Sequence, residues 1–288
     1  MFENAIKNRY EFVMLFDVEN GNPNGDPDAG NMPRTDPETG YGIVTDVCLK
    51  RKIRNFVELY KEGEAGYGIL IRADKSLNAK FTEAYDACGL KTKQKGKDAD
   101  AVRTAQEYIC RNYFDVRTFG AVMSTGDDPC GIVRGPVQIN FARSIDPVYV
   151  QDITITRQAR TTEDRQSTGS TEMGKKSIVS YGLYRAEGYV SAMLAQKVTG
   201  FSEDDLELLW TAIKNMFEND HSAARGKMCL RKLYVFRHDS ALGNAPSHEL
   251  FDRITVQKKP GVTAPRSFSD YEIAEIAPMP EGVTLIEK

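Results

Sequence analysis

Two hydrophobic periods follow one another in the first sixty positions. From Arg9 to Glu19 the period is two: Tyr10, Phe12, Met14, Phe16 and Val18 share one face, and Val13 and Leu15 make the other partly apolar. A strand with both faces covered is predicted, central in its sheet. From Thr45 to Lys61 the spacing is helical. Leu49, Ile53, Phe56 and Tyr60 form a stripe for a core, and Lys50, Arg51, Arg54 and Lys61 fall on the far side. Between the two lies a loop of mostly Gly, Pro, Asn, Asp and Thr, from Asn20 to Gly42.

Further along, residues 62–100 read as an insertion with two turn-rich patches and a short helix near Ala79 to Cys88. Ala99 to Val116 is helical by pattern. Ile132 to Ala142 reads as a second strand, with Val137, Ile139 and Phe141 alternating, and Ser177 to Ala192 as a third. Phe201 to Asn219 is the clearest helix. Ser202 and Asp205 make a capping box, Phe201 and Leu206 a hydrophobic staple, and Leu206, Leu209, Trp210, Ile213 and Phe217 the apolar stripe. Cys229 to Arg237 closes the series as a fourth strand. The order β-α-β-β-α-β predicts an α+β fold with a ferredoxin-like or RNA-recognition-motif-like core.

Composition sharpens this picture only in part. The chain has 288 residues, 41% hydrophobic, enough for one large core or two modest domains. Its net charge of −3 supplies no global field for polyanions, so any nucleic-acid surface must gather its cations locally. No apolar run approaches the ~20 residues that span a bilayer, which predicts no membrane partner. Met1 to Lys7 lacks a signal-peptide core. The cysteines, Cys48, Cys88, Cys110, Cys130 and Cys229, are odd in number and scattered, with no C-x-x-C pair. They predict a reducing cytoplasm and no zinc site, and His221, His238 and His248 add no metal-ligand spacing.

Two stretches carry candidate chemistry. The loop into the first helix delivers a helix N-terminus and then cations, an arrangement suited to phosphates; a solvated helix face beside a surface loop is the alternative. Asp146 to Lys176 is rich in Arg, Lys, Ser, Thr and Gln and has almost no apolar residue after Ile155 except Met173. It reads either as a surface loop or as an arm, disordered when free, that reaches a nucleic acid or a neighbouring subunit. Catalytic signals are sparse. Asp26, Asp28 and Asp36 sit in Gly/Pro company without calcium-loop spacing, and no Walker loop, G-x-S-x-G or HEXXH is present.

Six segments together resemble a known family. They are Arg9 to Asp28 leading to Pro33-Arg34; Val44-Thr45-Asp46 through Arg54; Asp115 to Val122; Gly135-Pro136-Val137-Gln138-Ile139; Met173-Gly174-Lys175-Lys176 through Tyr184; and His221 to Gly226. In this order they resemble the backbone, crRNA-coating subunit of type I CRISPR Cascade complexes, most closely the type I-C (Csd-type) version of the RAMP superfamily. The resemblance implies a non-catalytic subunit without cofactor. Copies of it stack along a CRISPR RNA, meet the other Cascade subunits, and present the guide for pairing with target DNA. It implies a palm in three parts (residues 1–61, 108–145 and 178–288), a helical finger insertion (62–107) and an extended thumb loop (146–177). Carried onto matching positions, the RNA-contacting residues are Arg34, Thr45, Lys50, Arg51 and Arg54, then Gln138, Arg225 and the thumb cations Arg157, Arg160, Lys175 and Lys176, with Met173 as a base wedge. In related type III subunits a loop acid cuts RNA. A metal-dependent endonuclease using Asp26, Asp28 or Asp36 is therefore the rival reading, and a polymerising structural protein without nucleic acid is the third.

Overall fold

The computed structural model describes residues 2–92, 98–157 and 172–288, the side chains of Arg157, Glu172 and Met173 excepted. In chain order the described residues form β1 (Tyr10–Gly21), β2 (Gly25–Asp26), β3 (Met32–Pro33), β4 (Tyr41–Val44), α1 (Asp46–Tyr60), α2 (Leu77–Ala87), α3 (Ala99–Asn112), α4 (Phe114–Phe119), β5 (Gly120–Met123), β6 (Gly131–Arg134), β7 (Val137–Ile139), β8 (Ala142–Pro147), β9 (Val150–Arg157), β10 (Glu172–Val190), α5 (Ala192–Leu194), α6 (Glu203–Asn215), β11 (Lys227–His238), α7 (Ser247–Phe251), β12 (Ile254–Lys258), β13 (Tyr271–Glu275) and β14 (Val283–Glu287). The result is a mixed α/β molecule built on a large antiparallel sheet of order β14-β11-β1-β10-β8-β4, with β7 and β9 also paired to β10.

The predicted two-faced strand is β1, between β10 and β11. Its even positions Phe12, Met14, Phe16 and Val18 enter a cluster with Leu49, Ile53, Phe56 and Val57 of α1 and Leu206, Leu209, Trp210 and Ile213 of α6. Trp210 meets the edge of the Phe12 ring at 5.3 Å, and Tyr184 of β10 stacks on Phe16 at 5.4 Å. Val13 and Leu15 point the other way, into a cluster with Leu250, Phe251, Ile254 and Tyr271 from the C-terminal segment. That segment forms a third layer, which the strand and helix pattern does not foretell. The Ser202–Asp205 capping box is present, and Phe201 and Leu206 are buried beside it.

Several expected boundaries move. The strand expected over Ile132 to Ala142 is broken at Pro136, whose missing N–H ends a ladder. Its first part, β6, pairs with β5; β7 pairs with β10. Val137 and Ile139 are buried as expected, whereas Phe141 is exposed. Tyr60 is also exposed, because it is the last residue of α1 and extends past the cluster. The helix expected over Ala99 to Val116 is two, turning at Tyr113. A further apolar cluster joins Leu70, Phe81, Tyr85, Ile109, Val116, Met123 and Val133, so α2, α3, α4 and the β5–β6 hairpin share one small core.

Candidate nucleic-acid interface

The first turn of α1 is held open-ended by its own loop. Thr45 is the N-cap: its hydroxyl accepts from the Cys48 N–H at 3.3 Å and donates to Asn24 Oδ1 at 3.0 Å. Asn24 Oδ1 also accepts the Thr45 N–H at 2.9 Å, and the Asn24 carbonyl accepts from the Arg34 N–H at 3.1 Å. The loop is thus stitched to the helix end, and Arg34 is carried to it. Helix geometry then splits the cations of α1 into two flanks, separated by the exposed ridge of Val47 and Asn55.

On one flank, Lys50 Nζ lies 2.9 Å from Asp46 and 3.3 Å from Gln138 Oε1, above the Phe119 ring. Gln138 is exposed on β7, so the two predicted residues do meet. On the other flank Cys48, Lys52, Arg225 and Arg34 gather. Asp220 accepts both Arg225 Nε, at 2.7 Å, and Lys52 Nζ, while Arg34 Nη1 is 3.3 Å from Asp26. Burial raises the Cys48 thiol above its ordinary range, although Lys52, Arg225 and Arg34 pull it down. Burial likewise depresses the Lys52 ammonium, against the hydrogen bond to Asp220. The loop that bears Arg225 is locked to the loop after β1: the Asn22 N–H donates to the Ala224 carbonyl at 2.8 Å. A Cβ on Gly21 would stand 1.8 Å from the Arg225 carbonyl, so only glycine fits there.

One expectation for α1 is corrected. Arg54 is not on a free face: it is buried, its Nε donates to Asp115 at 2.8 Å, and its guanidinium lies over Phe119. Asp115 also accepts the N–H groups of Leu70 and Ile71, so Arg54 belongs to the packing of the insertion on α1. Arg51 Nη1 donates to the Ile71 carbonyl at 2.7 Å, a contact to the same segment.

The arm expected as a loop is, in its described part, a ribbon. β10 runs beyond β1 and pairs with β9 from Val179↔Val150 to Glu172↔Arg157. Strand pairing satisfies backbone groups that a loop of such polar sequence would leave to water. Lys175 is exposed on the ribbon, and Lys176 Nζ donates to the Ala223 carbonyl at 2.9 Å, next to Arg225. A groove between the β2–β3 hairpin and the ribbon's base is lined by Asn22, Asn31, Met32, Lys175, Lys176 and Ala224. Asn22 Oδ1 is buried and has no hydrogen-bond partner among the described residues. The backbones of Arg157 and Met173 lie in the ribbon, and Arg160 lies outside the described residues, as does the tip of the arm expected to be disordered.

The loop acids serve turns. Asp26 Oδ1 accepts from the Asp28 N–H at 3.2 Å, and Asp36 Oδ1 accepts from the N–H groups of Glu38 and Thr39. Those bonds hold the Asp36 carboxyl below the usual carboxylate range. Among the described residues, no group of three or more His, Cys, Asp or Glu side chains is arranged to hold a metal ion, and no helix is long and apolar enough to cross a membrane.

The sequence model of the CRISPR-associated protein Cas7 family matches residues 8–275. The chain belongs to the Cas7 family. A curated CRISPR-associated protein Cas7 from Haloferax volcanii is 29% identical over 230 residues, 72% of this chain and 65% of that protein, so this chain spans just under two thirds of that Cas7 relative's length. Among solved structures, chains of a CRISPR RNA-guided surveillance complex in a pre-nicking state (TM-score 0.49, 14% identity, 79% of this chain and 78% of that one) and of a CRISPR RNA-guided surveillance complex (0.44, 16%, 78% and 68%) are similar. At these values the likeness bears on neither fold nor function.

In this Cas7 family member the sequence reading missed Lys52, Asp220, Asn24 and Asn22 as neighbours of the predicted cations. Asn24 carried no local signal, since it meets the Thr45 cap from 21 positions upstream. Lys52 carried none: its partner is 168 positions away. The Phe119-Gly120 segment is packing. Phe119 lies under Lys50 and Arg54, and Gly120, at φ +79°, has no room for a Cβ beside the Val133 carbonyl.

Proposed function

We propose that this protein is the non-catalytic backbone subunit of a type I-C Cascade complex, coating CRISPR RNA and presenting it to target DNA. The observation that carries the reading is the convergence beside the first turns of α1 of segments remote in sequence: the Arg34 loop, the Thr45 cap, Gln138 and the Arg225 loop, with Lys176 bonded to that last loop. Such a surface grips phosphates without reading bases, as a protein that accepts every guide requires. Lys50, Lys175 and Arg225 are its leading phosphate contacts. Arg34, Thr45, Gln138 and Lys176 shape it, and Arg51 and Arg54 support it from the insertion side. Arg157, Arg160 and Met173 are assigned to the distal arm, the thumb of this reading, with Met173 as base wedge.

The same reading takes the strand order β11-β1-β10-β7, with α1 and α6 on one face, as an RNA-recognition-motif-like palm (residues 1–61, 108–145 and 178–288). Residues 62–107 are the fingers, whose small core reaches Val133. Copies of the chain, the remaining Cascade subunits and target DNA are its partners, in the cytoplasm. The carboxylates of Asp26 and Asp36 are engaged in turns, which supports coating over cleavage by loop acids.

The test mixes purified protein with repeat–spacer RNAs of increasing length and images the products by negative-stain microscopy, with and without Mg²⁺. The expected result is filaments that lengthen with the RNA and an RNA that stays intact. RNA-independent filaments would support the structural reading instead. Mg²⁺-dependent cleavage abolished by Asp26→Asn or Asp28→Asn would support the nuclease.

A further inference from the structure

Four cations around the first turns of α1 are already paired with carboxylates of their own chain. Lys50 is paired to Asp46 at 2.9 Å, Arg34 to Asp26 at 3.3 Å, and Lys52 and Arg225 share Asp220. Four cations against three carboxylates leave one net positive charge around the first turns of α1. A surface evolved only to attract phosphate has no use for a carboxylate within ion-pair distance of each of these four, since every phosphate that docks there meets a like charge. Asp46 is the plainest case. It sits one helical turn from Lys50 in a part-buried pair, a spacing that adds little to the stability of a helix.

We propose that Asp46 and, on the other flank, Asp220 are built-in competitors for the RNA phosphates. They hold Lys50 and Arg225 against the body of the protein and set the intrinsic affinity for any polyanion low. Single cations are then masked from stray nucleic acid. Binding becomes favourable only where a strand engages both flanks of α1 and the arm together, because then several displaced carboxylates are offset at once. The proposal rests on the RNA-coating reading and concerns the sign of the effect of two acids within it.

The test is fluorescence anisotropy of a labelled single-stranded RNA against the wild-type chain and Asp46→Asn, Lys50→Ala, the double variant and Asp220→Asn, across a salt series. Asp46→Asn is expected to bind several-fold tighter at low salt. Its plot of log affinity against log salt should steepen by about 0.7, one more phosphate neutralised on a single strand. The gain should vanish in the Lys50→Ala background, which shows that Asp46 acts through Lys50. Asp46→Ser, a residue suited to a helix N-terminal turn, carries the same expectation should the Asn variant melt early. Equal or weaker binding by folded Asp46 variants overturns the proposal and makes Asp46 a residue that merely orients Lys50. If the wild-type chain and every variant bind no RNA, the coating reading and this one fall together, an outcome distinct from a reversed sign.

Discussion

Glu11 and His238 are both fully buried, and what they do shows how this chain handles charge in its interior. Burial alone would raise the Glu11 carboxyl, but the hydrogen bond from His238 at 2.6 Å and the Arg9 guanidinium more than offset it and hold it below its ordinary value of 4.5. The Asn244 N–H donates to His238 Nδ1 at 2.8 Å, so Nε2 is the protonated nitrogen facing Glu11. Ser247 also donates to Glu11, at 2.9 Å. One carboxylate therefore ties β1, β11 and the start of α7 together. Because its folded value is depressed, the unfolded chain takes up the proton first as pH falls. The stabilisation is whole above pH 4.5 and is lost as pH drops through the depressed value. Glu11→Gln is expected to lower stability near neutrality and to flatten the acid limb, read as the urea midpoint at roughly pH 6, 4 and 3. An acid limb as steep as the wild type's would assign that limb to other groups.

At the scale of elements, periodic segments were legible and long-range pairings were not. β1 and α6 follow from local spacing, and the α6 capping box sits where Ser202 and Asp205 predict it. The split at Pro136 was readable from Pro alone and was outweighed by the apparent alternation through Phe141. Arg54 was placed on a solvent face because helical spacing ignores Asp115, 61 positions on, and burial of a cation is decided by such a partner. The arm reads as a loop because polar residues dominate it after Ile155; the short Ile153–Thr156 alternation becomes β9 by pairing with the extension of β10. Residues past β11 are short runs broken by Pro and Gly, ordered by packing on the second face of the sheet and, for β14, by pairing with β11 across about 50 positions of chain that local pattern does not link. Asp205 joins two elements that sequence treats separately. It caps α6 and receives Arg117 of α4 at 2.7 and 2.8 Å, both side chains buried. Arg117 also donates to the carbonyls of Gly66, Cys110 and Arg111. Asp205→Ala is expected to cost about 3–5 kcal/mol, since it leaves a buried guanidinium without its counter-charge. A urea-unfolding loss below about 1 kcal/mol would mean that water or the carbonyls suffice for Arg117.

At the scale of the molecule, a net charge of −3 coexists with a cationic end of α1 because the basic groups of the Arg34 loop, β10 and the Arg225 loop are folded onto one place. The segments that deliver them are stiff. One is the end of a core strand, one is interlocked with the Gly21 backbone, and one is stitched to the Thr45 cap. The central claim is that this surface, and not the chain's overall field, holds RNA. The salt dependence of single-stranded RNA binding tests it most directly, comparing the wild type with the Lys50→Ala/Lys175→Ala/Arg225→Ala variant, folding verified by circular dichroism. The account predicts a linear fall of log affinity with log salt in the wild type. In the variant it predicts weaker binding and a shallower slope, by about 0.7 for each phosphate contact removed. The same affinity and slope for both proteins would contradict it and place the RNA elsewhere on the molecule.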